Sequence, residues 1–228
     1  ILHRLVGSEM CIRDSYNTGI DFMKYGLFAK AERKFLDDNL GLSFGFRVDA
    51  DSFSQGSSMI DNFSPRMALT YNLTEDETWK INASVGRYFK IPTYTMLGYQ
   101  NSQTRFVNKD AKYIRSDHLV TGLEYAPGNA SRITIEGFYK KYSQYPISLI
   151  DGVSLANKGG GFEVLGNEAI SSDGKGKSYG VEALYQQKLT KNFYGVFAYT
   201  YFHSQFTTTQ GNYLPSVWDS RHLISFSG

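Results

Sequence analysis

Along at least eight stretches of this chain, apolar and polar residues alternate one for one, and the connectors between those stretches are by turns very short and very long. Alternation of period two signals strands, because successive side chains of an extended backbone point to opposite faces. The short connectors, at 36–39, 73–78, 126–130 and 189–192, are rich in Asp, Asn, Glu, Gly or Lys and read as tight hairpin turns. The long ones, at 50–62, 90–113, 143–177 and 207–220, exceed hairpin length and carry Gly, Ser, Asn and aromatic residues. Antiparallel strands joined in this lopsided way predict an all-β, up-and-down transmembrane barrel of the outer-membrane type. In such barrels the short turns are periplasmic and the long loops extracellular.

The two faces can be assigned strand by strand. Over 40–49, Leu40, Leu42, Phe44, Phe46 and Val48 oppose Gly41, Ser43, Gly45, Arg47 and Asp49. Met67, Leu69 and Tyr71 oppose Arg66, Ala68 and Thr70; Trp79, Ile81, Ala83 and Val85 oppose Lys80, Asn82, Ser84 and Gly86. Leu119, Leu123 and Tyr125 stand against His118, Gly122 and Glu124. Ile133, Ile135 and Tyr139 stand against Arg132, Thr134 and Glu136, and Tyr179, Val181 and Tyr185 against Gly180, Glu182 and Gln186. The apolar set is predicted to meet lipid, and the charges at Lys30, Glu32, Arg47, Asp49, Arg66, Lys80, Glu124, Glu136 and Glu182 to form a solvated inner wall. The stretch 192–206 is aromatic on both faces and is not oriented by its pattern.

A soluble sandwich also alternates, but its strands average five or six residues with Greek-key crossovers, whereas these run to about ten and follow one another as hairpins. Aromatic content is 15%, and Tyr71, Trp79, Phe89, Tyr125, Tyr139, Tyr142 and Phe193 lie near strand ends, where a membrane interface favours them. The chain has no run of about 18 apolar residues, and its mean hydropathy of -0.36 is too polar for a helical membrane protein. A barrel escapes that objection because only every second residue meets lipid. A net charge of +2 gives no basis for nucleic-acid binding, and the single cysteine, Cys11, allows no internal disulfide. Residues 1–15, with "VGSEMCIRDS", lack both the period-two pattern and a signal-peptide layout. They resemble a translated sequencing-adapter peptide and are set aside as non-native, the alternative being a piece of an earlier strand or loop.

Three sets of residues imitate chemical motifs. Gly176, Lys177 and Ser178 look like the end of a phosphate loop, but Ser171 stands where its first glycine belongs and the following stretch reads as a strand. His118, His203 and His222 lack metal-pair spacing, and Asp219 with His222 has no fixed nucleophile; the expectation is no metal, no cofactor and no enzymatic activity. The better candidates are aromatic residues of the long connectors: Tyr94, Tyr99, Phe106, Tyr145, Phe162, Tyr213 and Trp218. With Asn, Gln and Arg neighbours they could hold a small-molecule, siderophore or glycan ligand, or else pack the loops together.

"NFSPRMALTY" at 62–71 and "NASVGRYFKIPTYTMLGY" at 82–99 resemble segments of TonB-dependent outer-membrane receptors, the latter ending in the family's aromatic, base and "PT" run. "HLVTGLEY" at 118–125, "GKSYGVEALYQQKLTKNFYGVFAYTYFHSQF" and "PSVWDSRHLISFSG" at 215–228 are similar to further strands of the same family, in the same order. The resemblance implies a receptor in the outer membrane of a Gram-negative bacterium that imports a scarce nutrient with energy relayed by TonB. It also implies about twenty-two strands in the whole barrel around a plug domain. Against that number, 16–228 is expected to be a partial barrel, an open curved sheet of about eight to nine strands, without the plug and the TonB-contacting region. The partners implied are outer-membrane lipid, the plug and TonB. The alternative function is a passive porin-like or adhesin-like barrel without a plug.

Overall fold

The computed structural model describes residues 18–159 and 165–228. Cys11 lies outside them. Ten strands form one sheet: β1 (Lys24–Phe35), β2 (Leu40–Asp51), β3 (Ser64–Asn72), β4 (Trp79–Lys90), β5 (Ile114–Tyr125), β6 (Ser131–Ser148), β7 (Ile170–Thr190), β8 (Phe193–Thr207), β9 (Tyr213–Pro215) and β10 (His222–Ser227). Each strand pairs antiparallel with the next through β8, in the order expected of simple hairpins. Both β9 and β10 pair with β8, β9 at its end and β10 further back, so they are two pieces of a ninth meander strand. The sheet is open, with β1 at one edge and β10 at the other. The only α-helix among the described residues is the single turn α1 (Tyr94–Leu97), and no helix is long and apolar enough to cross a membrane.

The tight turns fall where the pattern put them, and their chemistry explains why. Leu36, Asp37 and Asp38 all take left-handed backbone angles, and the Asn39 amide closes the turn on the Leu36 carbonyl at 3.0 Å. Asp and Asn tolerate that conformation better than other residues. In the next turn the Asp76 carboxylate accepts from the Thr78 amide and hydroxyl and from Thr74, which together hold its pKa down at about 2.

The long connector expected at 143–177 is shorter than its composition suggests. β6 runs to Ser148 and β7 starts at Ile170, so Tyr145 is a strand residue and Gly176, Lys177 and Ser178 lie inside β7. The glycines that read as loop signals are there for close packing: a Cβ on Gly174 would run into the Tyr145 carbonyl oxygen, and one on Gly176 into the Phe206 ring. The register between β6 and β7 shifts on either side of Tyr145, the mark of a bulge.

Register fixes both faces, including the strand left unoriented. Phe44, Met67, Val85, Leu119, Tyr139 and Tyr179 form one continuous cross-strand row, and His203 on β8 continues it. Thus Phe197, Tyr199, Tyr201 and His203 of β8 belong to the apolar face. On that face the rings of Tyr179 and His203 stack at 5.3 Å, and Tyr201 meets both His203 and His222. Trp79 packs on Tyr125 at 4.4 Å near the tight-turn end of the same face. Tyr142, grouped by sequence with these interface aromatics, instead turns to the polar face and packs on Phe206. The nine inner-wall charges named above all share the polar face, where Lys30 and Glu32 form an ion pair.

Among the described residues nothing covers the apolar face: Phe44 is 58% exposed, and Met67, Val85, Leu119, Ile135, Val181 and Ile224 are exposed as well. An uncovered wall of that size demands lipid as its solvent. The buried residues gather at the long-loop end, among them Met96, Leu97, Ile147, Leu155 and Phe206. Strand positions buried there, Ser64, Ser116, Ser178 and Ser204, belong to the polar face. The long loops therefore fold over the polar side of the sheet and leave the apolar side bare.

Candidate functional site

The loops at this end are fastened into one body by buried polar side chains. Asn108, 3% exposed, donates from its Nδ2 to the carbonyls of Met96 and Glu168, both at 2.8 Å, and accepts from the Ile170 amide at 3.0 Å. One side chain thereby joins the β4–β5 loop to the β6–β7 loop. Tyr113 ties the β4–β5 loop to β2, its hydroxyl donating to Asp51 Oδ2 at 2.8 Å. Burial first, and then the Asp51 carboxylate, push the Tyr113 hydroxyl well above its ordinary pKa, so it stays a donor at neutral pH. Gly56 lies so close to this loop that a Cβ would run into the Asp110 carbonyl oxygen, and the Gln55 amide donates to the Lys109 carbonyl at 2.7 Å.

A charged clasp closes the β6–β7 loop. Lys158 Nζ sits 2.8 Å from Asp151 and 3.0 Å from Glu168, and Ser148 donates to the same Glu168 carboxylate. Burial acts to raise the Asp151 carboxyl, but the bonds from Lys158 and the Val153 amide outweigh it and hold it below the usual carboxylate range. Burial likewise acts to lower Lys158, and its two carboxylates reverse that and hold it above its ordinary value. Asn157 then donates to the carbonyls of Leu214 and Pro215, and the Val217 amide to the Ala156 carbonyl, which attaches the loop after β8.

The aromatic candidates divide into two groups, with Tyr213 and Tyr99 apart. Tyr94, on α1, meets Phe22 edge-on at 5.4 Å, and Lys24 lies over its ring and donates to its hydroxyl at 2.6 Å. Phe106 meets Phe53 edge-on at 5.1 Å, and Phe53 is 6.2 Å from Phe22, so the rings form a chain flanked by Lys24 and Lys109. Tyr145 and Trp218 both pack on Phe206, which is 1% exposed, and the Trp218 indole donates to Ser204 Oγ at 3.2 Å. In that second group Phe206 is the buried ring, and Trp218 covers it from the outside while remaining 45% exposed. Tyr213 is in β9, with Lys177 over its ring at 4.7 Å, and its register places it on the apolar face. Tyr99 holds the β4–β5 loop through its backbone, accepting from the Val107 amide. Phe162 lies outside the described residues.

Sequence reasoning missed Asn108, Lys158, Glu168, Phe22, Lys24, Phe53 and Lys109. Asn108 is 60 residues from Glu168 and Lys24 is 70 from Tyr94, separations that no local pattern carries, while Lys158 and Glu168 meet within one connector that has no regular period to mark them. Among the other candidates, His118 faces the polar side beside Ser116 Oγ at 2.6 Å, whereas His203 and His222 belong to the aromatic row of the apolar face. Asp219 accepts from the Ser204 amide, and His222 Nδ1 pairs with the Tyr199 hydroxyl. Among the described residues no group of His, Cys, Asp and Glu is placed to hold a metal ion.

Comparison with known proteins agrees with this geometry. The outer membrane transporter YddB of Escherichia coli superposes with a TM-score of 0.61 at 17% identity, over 90% of this chain and 30% of that one. The ferripyoverdine receptor of Pseudomonas aeruginosa gives 0.61 at 17% identity, over 90% and 25%. The alcaligin outer membrane receptor FauA of Bordetella pertussis gives 0.57 at 15%, over 90% and 33%. The chain thus spans about a third or less of the length of these structures, and at such identities the likeness concerns fold. No curated protein sequence matches it. The family model described as "TonB dependent receptor-like, beta-barrel" matches residues 6–228, nearly the whole chain. With its up-and-down strands, bare apolar wall and loops gathered over the polar side, the chain belongs to the TonB-dependent receptor β-barrel family of the Gram-negative outer membrane.

Proposed function

We propose that the protein works as part of an active importer, catching a scarce nutrient at the extracellular loops and passing it inward with energy relayed by TonB. The observation that supports this reading is the loop body: Asn108 fastens the β4–β5 loop to the β6–β7 loop, Tyr113 fastens the β4–β5 loop to β2, and the Lys158 clasp closes the β6–β7 loop on itself. A rigid cap presenting the Phe22–Tyr94 and Phe53–Phe106 rings with Lys24 and Lys109 offers a large organic ligand apolar faces and cationic rims. Its chemistry is recognition: among the described residues no acid–base pair or nucleophile stands in a poised arrangement, in keeping with a family of receptors. On this reading, residues 16–228 form one portion of the barrel wall, residues 1–15 are foreign to it, and the natural protein also has a plug and a TonB-contacting segment. Resequencing the locus tests the leader.

The functional test is uptake of labelled iron chelates, cobalamin or glycans by cells carrying the full-length gene, with and without a protonophore. Active import requires that the protonophore abolish accumulation and leave surface binding intact. Protonophore-insensitive uptake with an open conductance in planar bilayers would overturn it in favour of the porin-like alternative.

A further inference from the structure

The inner wall of the sheet carries a phenylalanine that the alternation of faces does not explain. Phe28 pairs with Arg47, which places it on the polar face, and it is 73% exposed there. One row towards the tight turns, the register runs Lys30, Gly45, Arg66, Gly86, His118, Lys140 across β1 to β6. Three rings of the same face stand beside this row: Phe28, two residues from Lys30; Tyr88, with the Arg66 guanidinium over it at 4.3 Å; and Phe138, with Lys140 Nζ over it at 4.9 Å. A cation and an aromatic ring thus recur together at three places along one line of the lumen wall.

The line is open and keeps a positive excess. A cavity of about 440 Å³ lies over bare Gly45, lined by Phe28 and Tyr88 and by the cations Lys30, Arg47 and Arg66. Gly86 gives Arg66 and Tyr88 room to meet, because a Cβ there would come within 3.2 Å of both side chains. The carboxylates of the neighbouring rows, Glu32 and Asp49, pair with Lys30 and Arg47. Neither Arg66 nor Lys140 forms an ion pair among the described residues. Five interstrand gaps separate β1 from β6, about 24 Å along the wall. A compact ligand would meet one ring and its cation; a ligand that meets all three is long, carries anionic groups at intervals and has apolar faces between them. Linked sugar rings bearing carboxylates have these properties: their C–H faces pack on aromatic rings, and their carboxylates take guanidinium in two-bond fashion and ammonium as a point charge. An acidic peptide supplies the charges without the ring faces.

We propose that this line is a binding track for a linear acidic oligosaccharide, a chain of uronic acid residues, with Phe28, Tyr88 and Phe138 as platforms for the sugar rings and Lys30, Arg66 and Lys140 as contacts for the carboxylates. The inference rests on the reading of the protein as an importer, whose cargo class it names, and on the register that puts these side chains below the loop cap on the lumen face.

The test is calorimetric titration of the full-length protein in detergent with linear hexagalacturonate, with its carboxyl-reduced neutral counterpart, and with a hexaglutamate peptide. The variants are Arg66→Gln with Lys140→Gln, Phe28→Ala, and Lys80→Gln as control, because Lys80 lies on the same face near the tight turns and is paired with Glu77 at 2.7 Å. Heat-modifiable gel migration confirms that each variant folds. The expected result is binding of hexagalacturonate by the wild type and by Lys80→Gln, an affinity roughly fivefold lower for each of the two cations removed, a comparable loss in Phe28→Ala, and at least tenfold weaker binding of the neutral sugar and of the peptide. No binding by the wild type, equal binding of the neutral sugar or of hexaglutamate, or unchanged affinity in the double variant or in Phe28→Ala would each overturn the proposal. Uptake separates it from the importer reading: protonophore-sensitive import of another nutrient without hexagalacturonate binding defeats only the track, whereas hexagalacturonate binding with protonophore-insensitive uptake defeats only active import.

Discussion

Phe44→Arg and Ser43→Arg place the same charge at adjacent residues of β2 that differ only in pleat. Phe44 lies between Ala31 and Met67 in the apolar row, well inside the 12-residue strand, and its ring is 58% exposed with no protein cover. In the full-length barrel an arginine there must be held in hydrocarbon near the bilayer midplane, which costs about 2 to 4 kcal/mol. Ser43 lies between Glu32 and Ala68 on the polar face. An arginine there gains a nearby carboxylate and water, so the cost should stay under about 1 kcal/mol. Denaturant titrations of the full-length protein refolded in lipid vesicles measure both. A larger loss for Ser43→Arg, repeated in a variant lacking any domain inside the barrel, would refute the assignment of faces.

Asn108→Ala removes three buried hydrogen bonds at once, and hydrogen exchange should rise together in the β4–β5 and β6–β7 loops by an amount equivalent to about 2 to 4 kcal/mol of local opening; a rise confined to one loop would contradict the clamp. Gly56→Ala should separate the β2–β3 and β4–β5 loops, seen as new protease cleavage near Asp110, because the added methyl cannot share the space of its carbonyl. The Lys158 clasp should hold across neutral pH. Asp151 is depressed in the folded protein, so its contribution is present above its unfolded pKa of about 3.9 and lost as pH falls through the lower folded value. Lys158 is raised, so its contribution is present below about 10.4 and lost as pH climbs through the higher folded value. Trp218 fluorescence flat between those limits and shifting outside them is the expected profile, and a midpoint near pH 6 to 7 would assign the loop's pH response to another group.

Much of this architecture was legible in the chain because it rests on local rules. Period two fixed which residues of β2 to β7 share a face, and Asp, Asn and Gly marked the turns at 36–39, 73–78 and 126–130. The aromatic strand β8 is ambiguous in sequence since both of its faces are apolar; only pairing with β7 decides that Tyr201 and His203 lie on the apolar face and that Phe206 turns inward. The reach of β6 and β7 past the membrane was hidden because Gly174 and Gly176 read as loop, when their missing side chains make room for Tyr145 and Phe206. The cap was least visible. Asn108 and the ring chain from Phe22 to Phe106 are joined by contacts between segments that only the pairing of successive strands brings within reach, and the Lys158 clasp forms inside a connector whose sequence has no regular period. Alternation is a property of neighbours in sequence, and a binding surface made of loops is a property of neighbours in space.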